Sequence, residues 1–216
     1  NPTVTVNSPT ITVAPGATLD VQALTSSLVL GSGQTLTGGG TVLGAVTVGS
    51  GGTVSPGNSP GTLTTGAETW AAGGTYLWQI DDATMTLKGL NDGYDWLNIT
   101  AGLEITALDT PGNRFTIDIT SLDPATDLPG SAANFNSLGS YAWTIATAAG
   151  GITGFDATKF DLLTTNFQNA YVGSFSIEKS GNDIRLLYSM QMVPEPASVF
   201  LLLAGCLALW RRRRRG

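Results

Sequence analysis

The first part of the chain is a series of short β-branched and aliphatic runs separated by glycine, as in ITVAPGATLDV. A recurring unit, Gly-x-Thr followed by Leu, Val or Tyr, places threonines at Thr18, Thr35, Thr41, Thr53 and Thr75. Taking Thr18, Thr35, Thr53 and Thr75 as one series, the steps are 17, 18 and 22 residues. Strands this short cannot bury a hydrophobic face alone, so they are expected to stack on neighbouring copies. Because no aromatic residue occurs in the first 66 positions, the expected interior is narrow and filled by small aliphatic side chains.

This pattern predicts an all-β fold in which residues 1–66 form parallel β-helix, or β-solenoid, coils. The alternative is an ordinary β-sandwich with glycine-rich turns. The chain begins at Asn1, without an initiating Met or a signal peptide, and we interpret it as a fragment or a processed chain whose solenoid is truncated at the N-terminus.

After Gly66 the strands lengthen, and all five Trp lie at or beyond position 70. Phe115, Ile117 and Ile119 alternate with polar residues, which is the period-2 pattern of a half-buried strand. The stretch SIEKSGNDIRLLYS predicts a hairpin that turns at Ser180-Gly181-Asn182. We therefore predict a second domain over residues 67–192, a β-rich antiparallel or sandwich-like unit that continues or caps the solenoid.

The last 24 residues, VPEPASVFLLLAGCLALWRRRRRG, follow a third pattern, and we treat residues 193–216 as a separate segment. Residues 197–210 are 14 residues without a charge and predict a single transmembrane helix. Such a helix is ~21 Å long, short for a hydrocarbon core of ~30 Å. The arginines mark the cytoplasmic end, and Glu195 is expected at the outer headgroups.

The candidate site residues of this segment form three groups. They are a motif of Val193, Pro194, Glu195 and Pro196; an anchor with Ala197, Phe200, Leu201, Leu202, Leu203, Leu207, Leu209 and Trp210; and a cytoplasmic stop of Arg211, Arg212, Arg213, Arg214 and Arg215.

Charge is divided sharply along the chain. The net charge of −6 combines −10 over residues 1–192, with 5 Lys/Arg against 15 Asp/Glu, and +4 over residues 193–216. Nothing in the acidic part could neutralise a run of phosphates, so nucleic acid is excluded as a partner. The chain has no His and a single Cys, Cys206 in the apolar run. Ser-His-Asp and Cys-His catalysis and the usual zinc sites are therefore excluded, and we expect no cofactor.

Carboxylates are the remaining candidates for chemistry. Asp81, Asp82, Asp92 and Asp95 lie close together in sequence and could supply the acid and base of a polysaccharide-active enzyme. Asp and Asn beside Gly more often form turns by bonding their own backbone, so no catalytic residue is predicted. A calcium site over residues 91–95 is a second alternative, although the segment lacks EF-hand spacing and a terminal Glu, and no metal ligand is predicted.

The C-terminal order of Pro-Glu-Pro motif, apolar helix and arginine cluster closely resembles the PEP-CTERM sorting signal of Gram-negative bacteria that make exopolysaccharide. In that family the signal is recognised by an exosortase in the inner membrane. The resemblance implies that Pro194, Glu195 and Pro196 are the recognition motif, that residues 197–210 are a transient anchor, and that Arg211–Arg215 are the stop.

A second resemblance lies in the body of the chain. GGTVSPGNSPGTLTTG, residues 51–66, resembles the autotransporter-associated β-strand repeat, and YDWLNITAGLEI, residues 94–105, resembles the segment that often follows such repeats. This resemblance implies a right-handed parallel β-helix. No outer-membrane barrel follows in this sequence, so autotransport by the chain itself is not expected.

Taken together, the patterns favour an exported, non-enzymatic structural or adhesin-like protein. Its expected partners are an exosortase, the inner membrane during transit, and exopolysaccharide or other surface proteins. The expected location is first the inner membrane as an anchored precursor, then the cell surface or extracellular matrix. The alternatives are a polysaccharide-active β-helical enzyme that uses surface carboxylates, and an adhesin that stays tethered to the membrane.

Overall fold

A computed structural model describes residues 6–23, 27–57 and 59–190 of the chain. Within these ranges nearly all regular structure is β-strand, with one three-residue 3-10 helix at Ala157–Lys159. The strands are β1 (Thr10–Thr12), β2 (Thr18–Asp20), β3 (Leu28–Leu30), β4 (Thr35–Gly38), β5 (Thr41–Leu43), β6 (Val46–Val48), β7 (Thr53–Pro56), β8 (Thr62–Thr65), β9 (Glu68–Trp70), β10 (Thr75–Ile80), β11 (Trp96–Ile99), β12 (Leu103–Ile105), β13 (Phe115–Asp123), β14 (Leu128–Pro129), β15 (Ser140–Ala148), β16 (Ile152–Thr153), β17 (Phe160–Leu163), β18 (Ser174–Ser180) and β19 (Asp183–Ser189).

The strands form three sheets that the chain visits in turn. The first sheet runs β1-β4-β7-β10-β13, with β14 and β17 also paired to β13. The second runs β2-β5-β8-β11-β15-β19-β18, and the third runs β3-β6-β9-β12-β16. Three consecutive strands therefore make one coil of the chain, and equivalent strands of adjacent coils pair in parallel. The fold is all-β with parallel sheets, which is compatible with the predicted β-helix.

Each sheet aligns one row of side chains inward and another outward. In the first sheet the register places Leu36 beside Val54 and Val54 beside Tyr76, and all three side chains are fully buried. The predicted series Thr35, Thr53 and Thr75 is one outward row. Inclusion of Thr18 in that series is wrong, because β2 belongs to the second sheet. Similar glycine-threonine units therefore begin strands of different sheets.

The interior changes from small aliphatic to aromatic side chains along the chain. Val42, Val46, Val48 and Val54 are buried in the early coils, as the sequence predicted. In later coils Trp70, Tyr76, Trp78, Phe115 and Trp143 are fully buried. The rings of Trp70 and Phe115 stack with centroids 4.7 Å apart and an interplanar angle of 1°. One hydrophobic core thus continues from the narrow coils into the wider ones.

Glycine is needed where the corners of adjacent coils meet. A Cβ on Gly66 would overlap the backbone of Gly44, because the carbonyl oxygen of Gly44 occupies that space. Gly38 has a φ of 112° and lies against the backbone of Val13 in the same manner. A side chain at either position requires backbone movement, because the main chains of adjacent coils are in direct contact at these corners.

The second sheet ends in an antiparallel hairpin. β18 and β19 pair with Ile177 opposite Leu186, and Gly181 adopts a φ of 61° in the turn, which confirms the predicted hairpin. β19 also pairs antiparallel with β15, with a bulge between Thr144 and Ala146. From the same hairpin, Lys179 Nζ donates a hydrogen bond of 2.9 Å to the carbonyl oxygen of Ile152 in β16, the last strand of the third sheet.

Parallel pairing continues past residue 66 without interruption. β9 pairs in parallel with β6, and β10 pairs in parallel with both β7 and β13. Among the strands of the described ranges, antiparallel pairing occurs only at β13–β14, β15–β19 and β18–β19, rather than throughout residues 67–192 as expected. The period-2 alternation that suggested an antiparallel sheet is shared by both kinds of strand pair. The division into domains at residue 66 stays a prediction.

Candidate functional site

The predicted sorting segment, residues 193–216, lies outside the described residues. Among those that are described, no helix is long and apolar enough to cross a bilayer. The candidate site that the structure does describe is the group of aspartates in the connection from β10 to β11.

The connection folds back on itself so that its two ends meet. The backbone N–H groups of Asp81 and Asp82 both donate to the carbonyl oxygen of Gly93, at 2.8 and 3.2 Å. Ile80 and Tyr94 form an isolated antiparallel bridge at the base. The four candidate aspartates are therefore held in one loop, but their surroundings differ.

Asp95 fastens two coils together through its carboxylate. Its Oδ1 accepts a hydrogen bond from the backbone N–H of Gly61, and its Oδ2 accepts one from the N–H of Gln79, both at 2.9 Å. The side chain is fully buried, and burial raises its pKa well above the usual range despite these two hydrogen bonds. With both oxygens engaged, Asp95 is placed to hold the Pro-Gly turn of the preceding coil rather than to meet a substrate.

Asp82 also has local partners. One of its oxygens accepts a hydrogen bond from the backbone N–H of Thr84 at 2.7 Å, and the other accepts one from Asn134 Nδ2 at 2.6 Å. The first contact spans two residues, which is the geometry of an aspartate that fixes its own turn. Asp92 is exposed on the same loop.

Asp81 differs from the other three. It is 0% exposed, and neither of its carboxylate oxygens has a hydrogen-bond partner in the described part of the chain. Burial, and after it the neighbouring carboxyls of Asp127, Asp92 and Asp123, together raise the pKa of Asp81 from 3.8 to about 7. Of these three, it is the Asp127 carboxyl that lies within hydrogen-bonding reach of Asp81.

Asp123 and Asp127 were not predicted as members of this group. They belong to the β13–β14 hairpin, where the N–H of Asp127 donates to the carbonyl of Asp123 at 2.9 Å and Asp127 has a φ of 54°. They reach Asp81 because β10 and β13 are neighbouring parallel strands that end at the same edge, with Ile80 beside Ser121. The Pro and Asp residues of PATD signal a turn, but only knowledge of the pairing places that turn next to Asp81.

The suggested calcium site over residues 91–95 is not assembled, because both oxygens of Asp95 bond backbone N–H groups of other segments. More generally, no cluster of three or more His, Cys, Asp and Glu side chains within residues 6–23, 27–57 and 59–190 is close enough to hold a metal ion by itself.

The outward threonines of the first sheet are a second candidate site. A single row, here called the threonine row, consists of Thr10, Thr35, Thr53, Thr75 and Thr116. Neighbouring members are separated by the strand spacing of ~4.8 Å. Within the described ranges their hydroxyls make no hydrogen bond to another residue, and the five side chains are partly or fully exposed to solvent.

The corresponding outward row of the second sheet is internally bonded instead. Asn98 Nδ2 lies 3.4 Å from Thr64 Oγ1, and Thr147 Oγ1 donates to Asp183 Oδ1 at 2.7 Å. The indole N–H of Trp96 donates to Thr147 at 3.1 Å, and Lys88 Nζ lies 4.0 Å from the centre of the Trp96 ring. This face is therefore less available to a polar ligand than the threonine row.

Comparison with profiles of known protein families finds no match for this chain. A search of curated proteins likewise finds no match.

Proposed function

We propose that this chain is an exported structural or adhesin-like β-helical protein of the cell surface or extracellular matrix, delivered through its PEP-CTERM-like tail by an exosortase. The observation that supports this proposal best is the threonine row. It presents hydroxyls at a regular spacing along a parallel sheet whose strands are hydrogen-bonded from coil to coil. Such a surface suits repeated contacts with the hydroxyls of an extended polysaccharide.

The stacking of the coils supports a load-bearing role. Each coil is joined to the next by three parallel strand pairs, by buried side chains and by carboxylate contacts such as that of Asp95. Backbone ladders that run the length of the described region make a stiff support for the outward row. The acidic, weakly charged composition of residues 1–192 favours a neutral rather than a strongly anionic glycan as the ligand.

Glycan binding is tested by removing the hydroxyls while keeping β-branched side chains. Thr35, Thr53 and Thr75 are replaced together by Val, and co-sedimentation with the exopolysaccharide of the host is measured. The matched control replaces Thr47 and Thr69, which form an outward pair on the third sheet. The expected result is loss of binding in the first variant and retention in the second. Equal binding by both variants would remove the threonine row as the ligand site.

The sorting step is tested separately by mass spectrometry of the mature C-terminus on surface-localised protein. Cleavage near Pro194-Glu195-Pro196 is expected, with loss of residues 197–216. Glu195→Ala is expected to block both processing and surface delivery. If Arg211–Arg215 remain on the surface protein, the permanently tethered adhesin is the correct alternative.

The enzymatic alternative calls for carboxylates that are free to act on a substrate. Asp82 and Asp95 each have two hydrogen-bond partners in the structure, which supports the structural proposal. The test is Ala replacement of Asp81, Asp82, Asp92 and Asp95 in turn, with an assay on host exopolysaccharide. A depolymerising activity that disappears in a folded variant would favour the enzyme.

A further inference from the structure

Two distant parts of the chain bring carboxylates together at the end of the first sheet. Asp81 directly follows β10, and Asp127 lies in the turn between β13 and β14. Ile80 and Ser121 are register partners, so the segments leaving β10 and β13 emerge side by side. The backbone carbonyl of Asp81 is fixed by a hydrogen bond from the N–H of Ala133, which holds the residue in place.

The negative charge of the Asp81 and Asp127 carboxylates is not balanced by any basic side chain among the described residues. Arg114 pairs with Asp109 and Asp161, both at 3.1 Å, and Arg185 lies beside Glu178 and Asp183. The ammonium groups of Lys159 and Lys179 donate to backbone carbonyls, and Lys88 lies over Trp96.

The unsatisfied group at the centre is Asp81 itself. Its side chain is 0% exposed and both of its oxygens lack a partner in the described part of the chain, while Asp127, which lies within hydrogen-bonding reach, is another carboxyl. A buried carboxylate without a hydrogen-bond donor or a counter-ion destabilises the fold, because no contact compensates for the loss of its hydration. A cation between Asp81 and the exposed Asp127 would satisfy both groups at once.

We propose that Asp81 and Asp127 bind a calcium ion, with Asp92 and Asp123 adding to the negative potential around it. Calcium is favoured because every available ligand is oxygen, because it accepts irregular coordination, and because backbone carbonyls and water can complete its six to eight ligands. Magnesium demands a near-ideal octahedron, and zinc prefers nitrogen and sulfur ligands. Two carboxylates make a weak site, and the expected Kd for calcium is ~10⁻⁴–10⁻³ M, the range found in extracellular modules.

The test is a calcium titration of the purified full chain in mild detergent after treatment with EGTA. Calorimetry is expected to show saturable binding of one ion, and thermal unfolding is expected to shift upward by about 5–10 °C at one hundred times Kd. Magnesium at the same concentration is expected to give a much smaller shift. Absence of both binding heat and a Tm shift at ~10 mM calcium would overturn the proposal.

Variants distinguish this site from other acidic surfaces. Asp81→Asn is expected to raise Tm without calcium, because the repulsion from Asp127 is removed, and to abolish the calcium shift. Asp127→Asn changes an exposed side chain, so it keeps the test valid if Asp81→Asn does not fold, and it is also expected to abolish the shift. Glu104→Gln, an exposed carboxylate on the third sheet, should retain the full shift. A calcium shift that survives both aspartate variants would overturn the proposal.

Discussion

Glu68→Gln is expected to stabilise the protein above neutral pH and to have little effect in mild acid. Glu68 lies in β9 with its side chain directed into the core, in the inward row of the third sheet that also contains Val46 and Leu103. It is 2% exposed. One oxygen accepts a hydrogen bond of 2.9 Å from Trp70 Nε1, and the other has no partner in the described part of the chain.

The magnitude follows from the change in pKa on folding. Burial is the main cause that raises the pKa of Glu68 from 4.5 to about 7, and the hydrogen bond from Trp70 and the nearby hydroxyl of Thr65 offset only part of its effect. Because the folded state binds the proton more tightly, the stabilising contribution is fully present below pH ~4.5 and is lost as pH rises through ~7. A difference of about 2.5 pKa units corresponds to about 3 kcal/mol.

Glutamine preserves the shape and keeps an oxygen for Trp70 but carries no charge at any pH. The free energy of unfolding of wild type minus that of Glu68→Gln should therefore fall by about 3 kcal/mol from mild acid to pH 8. Subtracting one free energy of unfolding from the other cancels the contributions of the other carboxyls, because both proteins contain them.

The assay is urea unfolding followed by tryptophan fluorescence at a series of pH values from 4.5 to 8. Trp70 contacts the substituted residue and reports on the core. Glu104→Gln, which alters an exposed carboxylate in the next coil of the same sheet, is the matched control, and its free energy of unfolding should vary with pH as that of wild type does. If the free energy of unfolding of Glu68→Gln also varies with pH as that of wild type does across this range, the burial argument is refuted.

Three further predictions concern contacts between coils, and each is measured by urea unfolding. Asp95→Ala leaves two backbone N–H groups without an acceptor and should cost about 2–5 kcal/mol, whereas Asp95→Asn, which keeps one acceptor, should cost less; equal costs would contradict the two-bond geometry. Gly66→Ala should cost about 1–3 kcal/mol because the new methyl group meets the backbone of the neighbouring coil. Gly102→Ala, where a Cβ makes only ordinary contact, should cost less than that. Tyr76→Phe removes the hydroxyl that donates to the buried carbonyl of Ile145 at 2.9 Å and should cost about 1–3 kcal/mol, while Tyr171→Phe, at an exposed ring, should cost less than 1 kcal/mol.

Much of the architecture was accessible from sequence because its signals are local. The glycine-threonine units marked strand starts such as Thr35, Thr53 and Thr75, and alternation marked β13 and the final hairpin. Parallel pairing was predicted for residues 1–66 but not for the strands after them, since parallel and antiparallel strands both alternate with period 2. The long connection between β10 and β11 also interrupted the repeat spacing, which hid the continuity of the first sheet across it.

The candidate sites also combine features that local sequence reveals with features that depend on distant parts of the chain. Asp81, Asp82, Asp92 and Asp95 could be singled out as carboxylates beside glycine or strand ends, but their sequence pattern is alike. Their different roles depend on partners far along the chain, such as Gly61 for Asp95. Glu68 was missed because a charged residue in a short strand is normally assigned to the outward face, and only the register with Val46 shows that it points inward.

The antiparallel hairpin at the end of the second sheet changes the strand direction at this end of the described stack. A further parallel coil would have to meet β18, whose strand direction and hydrogen-bond pattern differ from those of the coils before it. At the last strand of the third sheet, Lys179 already occupies the carbonyl oxygen of Ile152. A parallel coil from another copy would therefore meet mismatched hydrogen-bonding groups on two of the three sheets, which disfavours end-to-end stacking at this end of the described residues.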